Sequence, residues 1–168
     1  INFKSYKINI ELHLNSYVWI AKSVADQMVK NNINGSIIQL SSMYGLVAQD
    51  SNLYKNTNIS ENMTYGIVKS STIHFTKQMA PYYGKYNIRV NNLVIGGIKG
   101  HIKGSKKKQD NLFIKKFNLK VPLKRMGAPQ EIPSSVIFLA SSASSYITGS
   151  NIVIDGGYSI IWVKKNSR

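Results

Sequence analysis

A chain of 168 residues, 43% of them hydrophobic, is large enough for one domain with a sizeable core. It has no cysteine, which excludes disulfides and thiolate metal sites, and Lys22 interrupts its best apolar stretch, YVWIA, well short of the roughly 18 residues a membrane-spanning helix needs. The net charge is +15, with lysines gathered in KGHIKGSKKK, KKFNLKVPLKR and the tail VKKNSR. Such runs attract phosphates or acidic partners. They carry no aromatic ladder, zinc-finger spacing or RNA-binding signature, so nucleic acid is the minor reading and no metal is expected. With no secretion-type leader in view, a reducing cytoplasm is the expected compartment. The first residue is Ile1 rather than Met, which points to a processed chain or an incomplete reading frame.

From Phe3 to about Lys30 the apolar residues recur at helical spacing, with Val18, Ile20, Ala21, Val24, Ala25 and Met28 on one broad side. NNING ends this helix, with Gly35 as the stop. SIIQLSS reads as a buried strand ending near Ser41, and Met43 to Asn62, rich in Ser, Asn and Tyr, as a long surface loop. A second long helix is predicted from about Glu61 to Tyr83, then a buried strand in NIRVNNLVI closed by Gly96 and Gly97. Lys99 to Val121 is basic and weakly patterned, as expected of a flap holding a short helix. PQEIPSSVIFLASS predicts a third helix and GSNIVIDGG a last strand. This alternation predicts a parallel sheet with helices on its faces, in a single domain over 1–168. Pro81 and Pro133 fall inside predicted helices, where proline costs roughly 3 kcal/mol.

Within the second helix, Tyr65 and Lys69 stand one turn apart on the same side. A tyrosine hydroxyl, with an ordinary pKa of about 10, is a poor base near neutrality, and an adjacent ammonium stabilises its phenolate. The spacing alone is common. The stretches IIQLSS, TYGIVKSS, NIRVNNLVIGGI, VPLKRMGAPQEI and IFLASSASSYITGSNIVIDGG, in that order, resemble the short-chain dehydrogenase/reductase family. The resemblance covers nearly the whole chain and corresponds to the C-terminal two-thirds of a family member. It implies a three-layer, Rossmann-like α/β fold with a doubly wound parallel sheet, incomplete at its N-terminal half.

The resemblance further implies an oxidoreductase that moves a hydride between NAD or NADP and a carbonyl or alcohol. Tyr65 is then the general acid/base. Lys69 tunes it and holds the cofactor ribose, and Ser42 bonds the substrate oxygen, with Ser41 as its runner-up. Gly96, Gly97 and Ile98 bring backbone to the nicotinamide. His13 falls where the family often has a catalytic asparagine, so it reads either as a proton relay or as a structural histidine. Ile95 replaces a frequent proline, and the stretch between Ser42 and Tyr65 is longer than the commonest spacing, lining the substrate mouth.

Assembly as a homodimer or homotetramer through the two long helices is expected. The flap lysines suggest an anionic substrate such as a nucleotide-sugar, a sialic-acid-like sugar or an acyl carrier thioester. The family's glycine-rich dinucleotide turn has no counterpart here, because no G-x-x-x-G-x-G occurs in the sequence. The chain is therefore expected to expose a sheet edge and apolar surface, and to be poorly soluble and inactive alone. The rival reading is a truncated, non-catalytic remnant or interaction module.

Overall fold

Three parallel strands form the sheet in the order β1 (Gly35–Ser42), β2 (Ile88–Ile95), β3 (Asn151–Ile154). The computed structural model describes residues 2–100 and 109–161. β1 pairs with β2 from Gly35↔Ile88 to Ser42↔Ile95, so both strands end together at one edge of the molecule. Six helices accompany the strands among the described residues: α1 (Phe3–Ile10), α2 (Ser16–Lys30), α3 (Ser51–Tyr54), α4 (Met63–Gly84), α5 (Asn111–Lys120) and α6 (Pro133–Ala140). The architecture is the expected three-layer α/β fold. α2 and α4 cover one face of the sheet and α6 the other.

Strand alternation sorts the layers. Ser41 Oγ donates to Lys69 O of α4 at 2.7 Å, and Ile37 packs in the core formed with α2 and α4. On the opposite face, Ser36 Oγ donates to Leu139 O of α6 at 2.7 Å. The Arg89 guanidinium on β2 donates to Leu139 O, Ser141 O and Ser144 Oγ, fixing the end of α6 against the sheet. The core on the α2/α4 face is built from Ala21, Ala25, Met79, Ala80, Tyr83, Ile88 and Val90. Its alanines let the helices lie close to the strands.

Several sequence expectations are corrected. The first helix is interrupted by a π turn at Glu11–Asn15. The expected apolar side is only partly buried: Ala21 and Ala25 are buried, whereas Ile20 is 64% exposed. Asn32, at φ 54°, carries the chain reversal after α2, and Gly35 is the first residue of β1 instead. Asparagine tolerates the left-handed region, which is why it can replace glycine there. β1 runs through Ser42. The 43–62 stretch is only partly a surface loop, because it contains α3 with Leu53 and Tyr54 buried. Pro133 sits at the first position of α6, where a missing N–H costs nothing. Pro81 lies inside α4 close to its end, and the helix continues to Gly84.

β1 is an edge strand of the sheet. Leu40 on it is 44% exposed, and Ile137 and Phe138 of α6 are 67% and 37% exposed, so apolar surface does reach solvent beside that edge. Among the described residues no helix is long and apolar enough to cross a membrane.

Candidate active site

In a parallel sheet the loops that can hold a ligand lie beyond the C-terminal ends of the strands. Ser42 closes β1 there, and Gly96 follows the end of β2. The side chain of Ser42 is buried, and its Oγ accepts from the Tyr44 N–H at 3.3 Å. A hydroxyl that accepts in this way keeps its own hydrogen for an outside oxygen. Ser41 is committed elsewhere, since its hydroxyl donates to Lys69 O and ties the middle of α4 to β1. The geometry thus separates the two serines into a candidate substrate-binding residue and a packing residue.

α4 starts at Asn62, whose Oδ1 accepts from the Tyr65 N–H at 3.2 Å, placing Tyr65 in the first turn. Tyr65 is 40% exposed. The Lys69 Nζ lies 5.8 Å from the Tyr65 ring centroid and 5.2 Å from that of Tyr17. It donates to Leu40 O at 3.1 Å. Burial pulls the Lys69 ammonium below the ordinary lysine value. A partly desolvated cation acts more strongly on a neighbouring phenolate than one in water. Gly45 lets the turn after β1 lie close against α4: a Cβ there would lie 2.8 Å from the backbone carbonyl of Lys69. Tyr17 and Gly45 were not singled out by sequence. The signal for Tyr17 was present, because it stands one turn after His13 on the helix that packs against α4.

His13 is exposed and lies within the π turn. Such turns recur at functional positions, and this one shifts the phase of the helix between His13 and Tyr17.

The exit of β2 is held from two sides. Gly96 N–H donates to Ile154 O at 2.9 Å, continuing the sheet ladder. Gly97 O accepts from Gly127 N–H, Lys99 N–H donates to Gly127 O, and Ile98 thereby pairs with Gly127. A Cβ at Gly97 would meet the Phe117 ring at 2.5 Å, so the backbone and ring approach closely. On the other side the Gln109 carboxamide bridges Ile98 O, at 2.9 Å, and Gly100 N–H, at 3.1 Å.

A second core closes this end of the molecule. Met43, next to Ser42, joins Leu53, Tyr54, Phe117, Val121 and Met126, flanked by Tyr44, Phe113 and Tyr158. Burial pushes the hydroxyls of Tyr44, Tyr54 and Tyr158 up from their ordinary value, so these phenols stay protonated. Two lysines of the flap have protein partners: Lys116 Nζ donates to Asn52 O and Lys55 O, and Lys120 pairs with Asp50; just after the flap, Lys124 Nζ donates to Leu119 O. The lysines of the flap between Lys103 and Lys108 lie outside the described residues.

The nicotinamide end of a dinucleotide fits what is present, because the Ile98–Gly100 backbone already offers an acceptor and a donor to one carboxamide. The sequence holds no glycine-rich turn for the pyrophosphate.

The family model described as Enoyl-(Acyl carrier protein) reductase matches residues 2–159. D-arabinitol 2-dehydrogenase (ribulose-forming) of Scheffersomyces stipitis is 36% identical over 141 residues, covering 83% of this chain and 48% of that protein. Post-translational flagellin modification protein A of Campylobacter coli is 30% identical over 152 residues, covering 90% of this chain and 56% of that protein. A crystal structure of a short chain dehydrogenase from Leptospira borgpetersenii serovar Hardjo-bovis with bound NAD+ superposes with a TM-score of 0.83 at 32% identity, over 93% of this chain and 57% of the other. The chain spans about half the length of the curated relatives it matches. A match along almost the entire sequence, at these identities and with this fold, establishes that the chain belongs to the short-chain dehydrogenase/reductase family.

Proposed function

We propose that this chain carries the proton-handling part of an NAD(P)-dependent oxidoreductase that interconverts a carbonyl and an alcohol. The observation that carries the reading is the Lys69 ammonium 5.8 Å from the Tyr65 ring, at the strand end that also holds Ser42. Bound nicotinamide would supply or accept the hydride. Tyr65 Oη gives its proton to the substrate oxygen in reduction and takes it back in oxidation. Lys69 stabilises the phenolate left behind. Ser42, oriented by the Tyr44 N–H, donates to the same substrate oxygen as negative charge develops on it. Gly96, Gly97 and Ile98 would receive the nicotinamide, and Lys69 the ribose.

The names of similar proteins, D-arabinitol 2-dehydrogenase, L-xylulose reductase and sorbose reductase, favour a polyol or ketose substrate. An anionic substrate draws no support from Lys116, Lys120 or Lys124, which are engaged within the protein.

The test is turnover of a polyol and ketose panel with NAD(H) and NADP(H), comparing wild type with Tyr65→Phe. The change should lower kcat by about 10²- to 10⁴-fold, the usual worth of a positioned acid/base. Undiminished turnover in Tyr65→Phe would refute the assignment. Turnover by the 168-residue chain alone would overturn the expectation that it is inactive without a pyrophosphate-binding turn, and the rival interaction-module reading draws on the open edge of β1.

A further inference from the structure

The backbone leaving β2 has two sides, and they are treated differently. On one side Gly97 O and Lys99 N–H pair with Gly127, as they would with a neighbouring strand. Ile98 O and Gly100 N–H, the next acceptor and donor along the chain, are taken by a single side chain. Gln109 Nε2 donates to Ile98 O at 2.9 Å and its Oε1 accepts from Gly100 N–H at 3.1 Å. A primary carboxamide, which carries a donor and an acceptor on one carbon, makes both bonds at once, and here the Gln109 side chain does so.

Nicotinamide carries the same group. We propose that Gln109 is an internal stand-in for the cofactor: its carboxamide fills the Ile98–Gly100 cradle, and a nicotinamide carboxamide binds there by displacing it. This rests on the oxidoreductase reading of the site and adds to it a competitor built into the chain. The competition has a defined direction. A site occupied by its own side chain for most of the time binds a rival more weakly by the fraction of time it stands open. Two modest hydrogen bonds correspond to a penalty of about tenfold. The device needs no large movement, because only the Gln109 side chain must swing off two backbone groups.

The probe is reduced nicotinamide mononucleotide, which carries the carboxamide without the adenosine half, titrated by fluorescence into the full chain. Gln109→Ala should tighten its Kd about tenfold. Gln109→Glu keeps the acceptor but loses the donor to Ile98 O, and should tighten it by a smaller factor. The Gly100 amide should exchange with solvent faster in Gln109→Ala than in wild type, and regain protection when the mononucleotide is added. The matching nicotinic acid mononucleotide, which has no amide donor, should gain little from either change.

An unchanged or weaker Kd in Gln109→Ala would overturn the proposal, as would a Gly100 amide indifferent to residue 109. If no variant binds the mononucleotide, the cradle is not a nicotinamide site and the proposal falls. A kcat loss in Tyr65→Phe alongside an unaltered Kd in Gln109→Ala would retire the Gln109 proposal alone and leave the oxidoreductase reading in place.

Discussion

The two cores of this molecule are built on different principles. The core under α2 and α4 is mostly aliphatic, with Ala21, Ala25, Ala80, Ile88 and Val90 beside one buried aromatic, Tyr83, between regular elements whose backbone hydrogen bonds are already made. The core around Phe117 is aromatic and joins irregular segments, so its polar groups need other partners. Lys116 Nζ takes the carbonyls of Asn52 and Lys55, Asp50 both caps α3 and pairs with Lys120, and Asp110 caps α5 while accepting from the Asn58 N–H at 3.0 Å. Each of these cross-links joins the 50–59 stretch to α5 or the cap before it. The first core sets the strand ends, and the second covers them, with Ser42 and Met43 as the seam.

The sharpest way to break that contrast is Phe117→Ala. Phe117 is 1% exposed, stacks on Tyr158 with ring centroids 5.2 Å apart, and fills the space against Gly97. Its loss should cost about 3–5 kcal/mol, as for other buried phenylalanines. If the second core is a separate cooperative unit, hydrogen exchange should rise at residues 50–59 and along α5 while β1, β2 and α4 keep their protection. Uniform deprotection of the sheet would mean that the two cores melt as one.

Asp50→Asn probes the polar seam of the same unit and should have a smaller effect. Its carboxylate and the Lys120 ammonium are both mostly buried, with side-chain exposures of 23% and 22%. Removing the charge leaves Lys120 without its partner in a site where burial already pulls its pKa down. A loss of about 1–2 kcal/mol is expected, between the values for exposed and fully buried pairs. Denaturant unfolding of Asp50→Asn, Lys120→Met and the double variant would check it. Strictly additive losses would show that the pair does not couple the loop to α5.

The same contrast explains what could be read from the sequence. β1, β2 and α4 belong to the first core, where each segment is marked locally, the strands as apolar runs and α4 as one unbroken helix. The Tyr65–Lys69 pair was visible for that reason, since one helix carries both residues. Preferring Ser42 to Ser41 took a resemblance, and the contact that sets the two apart appears only in three dimensions, where Ser41 bonds Lys69 O. α3 was missed because four residues are too few to show a period, and their burial depends on α5, far along the chain. The π turn at Glu11–Asn15 leaves no local mark beyond a slip in phase. Gln109 follows a lysine-rich run that looks like surface, and its two backbone partners have no signature at all.

The smallest effect concerns the turn beside the β2 exit. Arg125 and Glu131 form a two-pronged pair, at 2.7 Å on each prong, and Glu131 Oε2 also accepts from the Ala128 N–H at 2.7 Å. The Arg125 guanidinium, followed by the Ala128 N–H, holds the Glu131 carboxyl down from its ordinary 4.5 to about 2. A depressed carboxylate pKa contributes stability that is fully present above the unfolded value and disappears as pH falls through the folded one. The window therefore runs from about 4.5 down to about 2. Both side chains are roughly half exposed, at 52% and 42%, so solvent screening keeps the contribution small. Melting temperature measured across that window should fall less steeply in Glu131→Gln than in wild type, with the two curves diverging most above pH 4.5. The pair joins Arg125 to the turn at Pro129–Glu131, and Gly127 between them is the residue that pairs with Ile98. Glu131→Gln should accordingly raise hydrogen exchange at Lys99 and Gly127 before any other described position, and identical exchange there would show that the ion pair does not brace the strand exit.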